Sequence, residues 1–190
     1  MDVLIRRLVR SDASAYRELL EGATEEERYF RFFRPVREVD ESLVLPFVTV
    51  TPDMLALLAE DEDGRPLGAV HAFLEDGGRR AELSVLVAHD VHHRGVGKRL
   101  VRSLIDQLRA QGCTSLVANS LDSNGSFSHL ARGLGMSIRA HDVGTLTWEL
   151  PLAPSASGGA SQVTDGATGR AGAVMLSGGT LPRRLGAAVG

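Results

Sequence analysis

His92-His93-Arg94-Gly95-Val96-Gly97-Lys98-Arg99-Leu100 joins a strand-like run to the most strongly periodic segment of the chain. Upstream, Arg80–Ala88 sets Leu83, Val85 and Val87 on one face, the alternation of a strand. Downstream, Val96, Leu100, Val101, Leu104, Ile105 and Leu108 recur at helical spacing, so Gly95–Gln111 reads as an amphipathic helix stopped by Gly112. Two glycines at the junction let the backbone approach a ligand without interference from Cβ. The unpaired amides and positive end of the helix suit a pyrophosphate, and Arg94, Lys98 and Arg99 add charge. The loop lacks the G-x-x-x-x-G-K-[ST] of a Walker A motif and the third glycine of a dinucleotide fingerprint. An isolated G-x-G would be an ordinary tight turn; the preceding strand and the basic residues point instead to an anion site.

The same alternation of patterns extends outward from this unit. Toward the N-terminus, Val3–Leu8 reads as a short strand. Ser11-Asp12 caps a helix carrying Ala15, Leu19 and Leu20 and ending at Gly22. Thr24 with Glu27 forms a capping box for a second helix running toward Phe32, and Asp40 caps a third with Leu43, Val44 and Phe47. Met54–Glu60 and Leu67–Leu74 are hairpin strands joined by the turn Asp61-Glu62-Asp63-Gly64. Glu75-Asp76-Gly77-Gly78 is a second turn, leading into Arg80–Ala88. Toward the C-terminus come a strand (Thr114–Ser120), a helix (Gly125–Leu134) and a strand pair (Ser137–His141 and Thr145–Leu150). The expected fold is α+β: a mixed sheet with an antiparallel N-terminal meander, then a βαβ crossover, with flanking helices.

Composition narrows the function classes. The chain has 190 residues, 43% hydrophobic and 24% charged, which is globular. A net charge of −3 argues against a dedicated nucleic-acid binder. The single Cys113 excludes a disulfide framework and a multi-cysteine zinc site; with no base supplied to it, it reads as a small buried residue. No apolar run is long enough to span a bilayer, and Met1-Asp2-Val3-Leu4-Ile5-Arg6-Arg7-Leu8 lacks the order of a signal peptide, so a cytoplasmic location is expected. From Pro151 onward the sequence has nine glycines, eight alanines and no aromatic residue. The expected organisation is a domain over residues 1–150 and a flexible tail over 151–190, removable after Leu152 without loss of stability.

The loop, with His92, Gly95 and Gly97 at its motif positions, resembles the Gln/Arg-x-x-Gly-x-Gly/Ala segment of the GNAT N-acetyltransferase superfamily. The resemblance runs from about Val3 to Leu150. Asn124, Phe127, Leu130 and Gly135-Met136 match the spacing of the family's second helix; where that helix often carries a tyrosine acid, this chain has Ala131. Arg28-Tyr29-Phe30-Arg31-Phe32-Phe33, with Leu4–Asp12 and Met54–Ala59, is similar to the catalytic domain of bacterial Pat-type protein lysine acetyltransferases. That resemblance implies acetyl-CoA as co-substrate, held by His92, His93, Arg94, Gly95, Val96, Gly97, Lys98, Arg99 and Asn124. It implies a backbone donor near Leu86 and Val87 for the thioester oxygen, Glu82 as general base and a protein lysine as acceptor. A small amine as acceptor, or a non-catalytic acyl-CoA sensor, are the alternatives.

Read from the residues alone, Glu82 either pairs with Arg79 or Arg80 at a strand entry or, if partly buried, accepts a proton from an amine. Asn124 either caps the helix at Gly125 or bonds the cofactor, and the two are compatible. His89, His92 and His93 read as solvent-exposed loop histidines, and no metal is expected. Phe30 and Phe33 are expected in the core.

Overall fold

A computed structural model describes residues 2–153. The flexible-tail expectation beyond residue 153 lies outside the described residues. The elements are β1 (Leu4–Arg7), α1 (Ala13–Gly22), α2 (Glu25–Phe32), α3 (Glu41–Val48), β2 (Met54–Glu60), β3 (Pro66–Glu75), β4 (Arg80–Val87), α4 (Val96–Ala110), β5 (Ser115–Leu121), α5 (Gly125–Gly133), β6 (Ser137–Asp142) and β7 (Thr145–Pro151). The strands form one seven-stranded sheet in the order β1-β2-β3-β4-β5-β7-β6. Every pairing is antiparallel except β4 with β5, which α4 connects as the crossover. The mixed α+β architecture is the one the sequence pattern gives. The ordered chain runs slightly past the expected boundary: Leu152 is buried, and its amide donates to the Thr114 carbonyl at 2.8 Å.

Helix starts at α2 and α3 follow from the side chains that cap them, whereas the expected Asp12 cap of α1 does not form, because that carboxylate is taken by Arg6 and the Val9 amide. The Thr24 hydroxyl accepts the Glu27 amide at 3.2 Å and the Glu27 carboxylate accepts the Thr24 amide at 2.6 Å, so both halves of the capping box form. Asp40 accepts from the amides of Ser42 and Leu43. On α1 the buried positions are Tyr16, Leu19 and Leu20, with Ala15 only half-buried. On α2 Phe32 is buried, Phe30 is half-buried against the core, and Phe33 is a half-buried C-cap in left-handed geometry. The core assignment of Phe33 is therefore corrected. A left-handed residue has left the helix, which shifts the buried ring to its neighbour Phe32.

Two layers of helix cover the sheet. Gly68 on β3 faces α4, where a Cβ would meet the Leu86 carbonyl oxygen at 2.8 Å and Leu100 at 3.1 Å. Its partner across the ladder is Val87, so Leu83, Val85 and Val87 share the α4 face. The opposite face of β3 carries His71 and Phe73, which pack with Tyr16 of α1 and Phe47 of α3. Opposite His71 and Phe73 stand Ser84 and Glu82, so Glu82 lies on the face covered by α1–α3.

Gly68→Ala is expected to destabilise the fold by about 1–3 kcal/mol, because the methyl group meets backbone that cannot rotate away. Urea denaturation would measure it; an unchanged midpoint would show that the β3–β4 backbone shifts freely to admit the methyl group.

Candidate active site

The parallel ladder between β4 and β5 covers only Arg80, Ala81 and Glu82 against Ser115, Leu116 and Val117. Beyond that point both strands continue but part, which opens a wedge in the middle of the sheet. The Ala88 amide bonds the Leu67 carbonyl, so antiparallel alternation turns the Leu86 amide toward β3 and the Val85 and Val87 amides toward the wedge, the Leu83 amide being taken up by the last rung of the β4–β5 ladder. Of the two expected backbone donors, Val87 faces the wedge and Leu86 does not.

At the wide end of the wedge, Gly95 takes φ 81° and caps α4 in left-handed geometry, which explains the glycine there. A cavity of 320 Å³ lies between the start of α4 and α5. Val87, His92, His93 and Gly95 line it, as do Val96, Gly97 and Lys98. The α5 side contributes Ser126, His129 and Leu130. Arg94 and Arg99 are both exposed, and the Arg99 guanidinium donates to the Val3 carbonyl at 3.1 Å. The structure therefore does not bring Arg99 to the cavity. Adjacent helix positions diverge, and Lys98 is the one directed inward. Asn124 is buried, accepts the Phe127 amide at 2.9 Å as the α5 cap, and lines an adjoining cleft.

Glu82 marks the narrow end of the wedge. It is half-buried, and the Asn119 side-chain amide donates to it at 3.0 Å. The Thr147 hydroxyl in turn donates to Asn119 at 3.0 Å, which fixes the amide's orientation. Burial raises the Glu82 pKa, while the Asn119 bond opposes that rise. Pairing with an arginine is not what holds it: Arg80 reaches Glu75 at 3.6 Å instead. Asn119 and Thr147 were not singled out from sequence; they meet Glu82 only through the β4–β5 and β5–β7 registers.

The histidines depart from expectation. His92 is not an exposed loop residue: its side chain is 8% exposed. Its Nε2 lies 3.0 Å from the Val87 carbonyl and its Nδ1 3.3 Å from Glu27 Oε1. His89 places Nδ1 2.8 Å from the same oxygen, with its ring 60% exposed. Burial pushes the Glu27 carboxyl up, but the His89 ring, the Thr24 amide and His92 outweigh it and hold the group below the usual range. The His89 pKa is raised by its bond to Glu27. A capping residue of α2 thus reaches the cofactor loop, a contact that no local sequence signal announces.

The family model of the Acetyltransferase (GNAT) family matches residues 16–136. The chain belongs to the GNAT acetyltransferase family. A curated relative, acetyltransferase PA5475 of Pseudomonas aeruginosa, is 27% identical over 139 residues, 70% of this chain and 74% of that protein. The GNAT domain of S. lividans PAT superimposes with a TM-score of 0.71 at 24% identity, covering 78% of this chain and 89% of the other. A phosphinothricin acetyltransferase of Sinorhizobium meliloti, solved with acetyl-CoA, superimposes with a TM-score of 0.66 at 19% identity, covering 85% and 95%. This GNAT enzyme uses acetyl-CoA as co-substrate for N-acetylation. Its glycine turn, inward lysine and open wedge fit that molecule: an anion cradle leads into a slot lined by unpaired strand amides. Among the described residues no helix is long and apolar enough to cross a membrane.

Lys98→Ala is expected to weaken coenzyme A binding several-fold, and Arg99→Ala to leave it nearly unchanged. Calorimetry decides; equal losses would show that Arg99 swings round to the ligand.

Proposed function

We propose that this acetyltransferase acts on protein lysines, with Glu82 as the base that accepts the proton of the incoming ammonium group. The observation that carries the proposal is Glu82 itself, a half-buried carboxylate at the point where β4 and β5 separate. Acetyl-CoA supplies the thioester that a neutral amine attacks. The first-turn amides of α4, with Lys98, would hold its pyrophosphate. From Val87 to Glu82 the strand rises about 16 Å, a distance for a long flexible arm rather than a compact nucleotide. The Val87 amide is directed into the wedge, where it can donate to oxygen as charge develops. Asn119 keeps one Glu82 oxygen bonded and leaves the carboxylate oriented. Ala131 is buried and has no hydroxyl, so the leaving thiolate takes its proton from elsewhere.

A protein lysine as acceptor is supported by the Arg28–Phe33 block and its resemblance to Pat-type catalytic domains. Glu26 also places acid at the 690 Å³ cleft beside the loop, which favours a cationic acceptor. Incubation with labelled acetyl-CoA and a whole-cell lysate, followed by mapping of labelled lysines, tests this. Transfer only to polyamines or other small amines would replace the lysine reading; no turnover with any amine would favour a sensor.

Glu82→Gln keeps size and hydrogen bonding but cannot accept a proton. The rate is expected to fall by about 10²–10⁴ with cofactor affinity retained. Full activity in a folded variant would reject Glu82 as base. The pH profile gives an independent check. Glu82 works as the carboxylate, so its raised pKa places the acid limb above that of an ordinary glutamate. Asn119→Ala removes a bond that favours the ionised form, so the limb should move to still higher pH, with activity recovered on the alkaline side. An unmoved limb would mean that another group controls it.

A further inference from the structure

Glu27 on α2 is distant in sequence from His89 and His92, which flank one short turn before the cofactor loop, yet one ligand atom from each of the three falls within 4.8 Å of the others. Glu27 Oε1 is 2.8 Å from His89 Nδ1 and 3.3 Å from His92 Nδ1. Tetrahedral zinc with bonds near 2.0–2.1 Å sets its ligand atoms about 3.3 Å apart, so small side-chain movements would complete the triangle.

The surroundings already hold these ligands in place. His92 Nε2 faces the Val87 carbonyl at 3.0 Å; a carbonyl only accepts, so Nε2 carries the proton. In a neutral ring with that proton, Nδ1 presents a lone pair, and a carboxylate oxygen lies 3.3 Å from it. The Oε1 atom meanwhile accepts from His89. Two acceptors in contact repel each other weakly, and a metal cation bound by both would turn that repulsion into attraction. A metal-binding histidine that donates its other N–H to a backbone carbonyl is the usual outer-shell arrangement. The Glu27 Oε2 atom is likewise fixed by the Thr24 amide at 2.6 Å. His89 keeps its far side in solvent, and all three residues line the 690 Å³ cleft, which leaves room for a fourth ligand.

We propose that Glu27 Oε1, His89 Nδ1 and His92 Nδ1 bind a zinc-class divalent cation, with an open fourth position facing the cleft. Two nitrogens and one carboxylate suit Zn²⁺; Mg²⁺ and Ca²⁺ prefer all-oxygen sets. On binding, the ion takes the Nδ1 lone pair of each ring, any Nδ1 proton passes to solvent or to His89 Nε2, and both rings keep Nε2–H. The ion would clamp α2 to the turn that precedes the cofactor loop. This holds whichever amine the enzyme acetylates.

The test uses the full chain freed of metal by chelator dialysis and titrated with Zn²⁺ against a chromophoric competitor. One Zn²⁺ per chain is expected, with a rise in melting temperature and, for Co²⁺, the visible absorption of a four-coordinate site. His89→Ala should weaken binding by more than about tenfold, and His92→Gln, which still offers Val87 a donor, should do the same. His141→Ala, altering a histidine that lies instead 3.8 Å from Asp122, should leave it unchanged. Absence of stoichiometric binding would mean that the three side chains serve only to hold α2 against the loop. Undiminished affinity in both His89→Ala and His92→Gln would place any bound ion elsewhere. Either result overturns the proposal.

Discussion

The ladder between β4 and β5 stops after Glu82 and Val117, and the functional architecture depends on that stop. Backbone amides in a sheet interior are normally paired, because an unpaired buried donor costs about 1–3 kcal/mol. Here a stretch of β4 keeps its β3 ladder on one side and turns unpaired donors to a wedge on the other. The sheet tolerates the gap because its other ladders run on from β1–β2 through β6–β7, broken only by register shifts at Ala59/Glu60 and Ile138/Ala140. The crossover helix α4 then starts at the mouth of the wedge, so a second set of unpaired amides meets the first.

The face opposite α4 is built differently. Arg31 is fully buried, with its guanidinium 4.4 Å from the Phe47 ring centroid and 3.1 Å from the Tyr16 hydroxyl. His71 sits beside the same rings, and burial together with the Arg31 charge pushes its pKa down to about 3, so the ring is neutral there. Its Nε2–H donates to the Phe47 carbonyl at 3.0 Å. A fixed cation beneath β4 also acts on Glu82, where the Arg31 charge is one of the influences opposing the rise in its pKa. The aromatic packing and the carboxylate are therefore electrostatically connected through one buried guanidinium.

Much of this was legible in sequence because it is local. Strand alternation, the Thr24–Glu27 box, the Asp40 cap and the stripe on α4 each specify their element within a few residues. The glycine turn also announced its position, since only a left-handed cap explains Gly95 before a strong helix. What stayed hidden depends on register. Asn119 reaches Glu82 because the parallel pairing sets Glu82 against Val117, and sequence does not reveal that alignment. His92 looked like a solvated loop residue because Glu27 is distant in sequence and already explained as a cap. Helix geometry already makes Lys98 and Arg99 unequal, but which of them faces inward depends on the chain before β1, whose Val3 carbonyl takes the Arg99 guanidinium.

The wedge makes the strand's two edges unequal in the eyes of deuterium. Ser84 and Leu86 turn their amides into the β3 ladder, whereas Val85 and Val87 turn theirs to the gap, although all four side chains are buried. Alternate residues of one core strand should therefore exchange at very different speeds, the gap-facing set quickly and the ladder-facing set only on wider opening. Filling the gap would erase the alternation, so β4 carries an isotopic record of whether its slot is occupied.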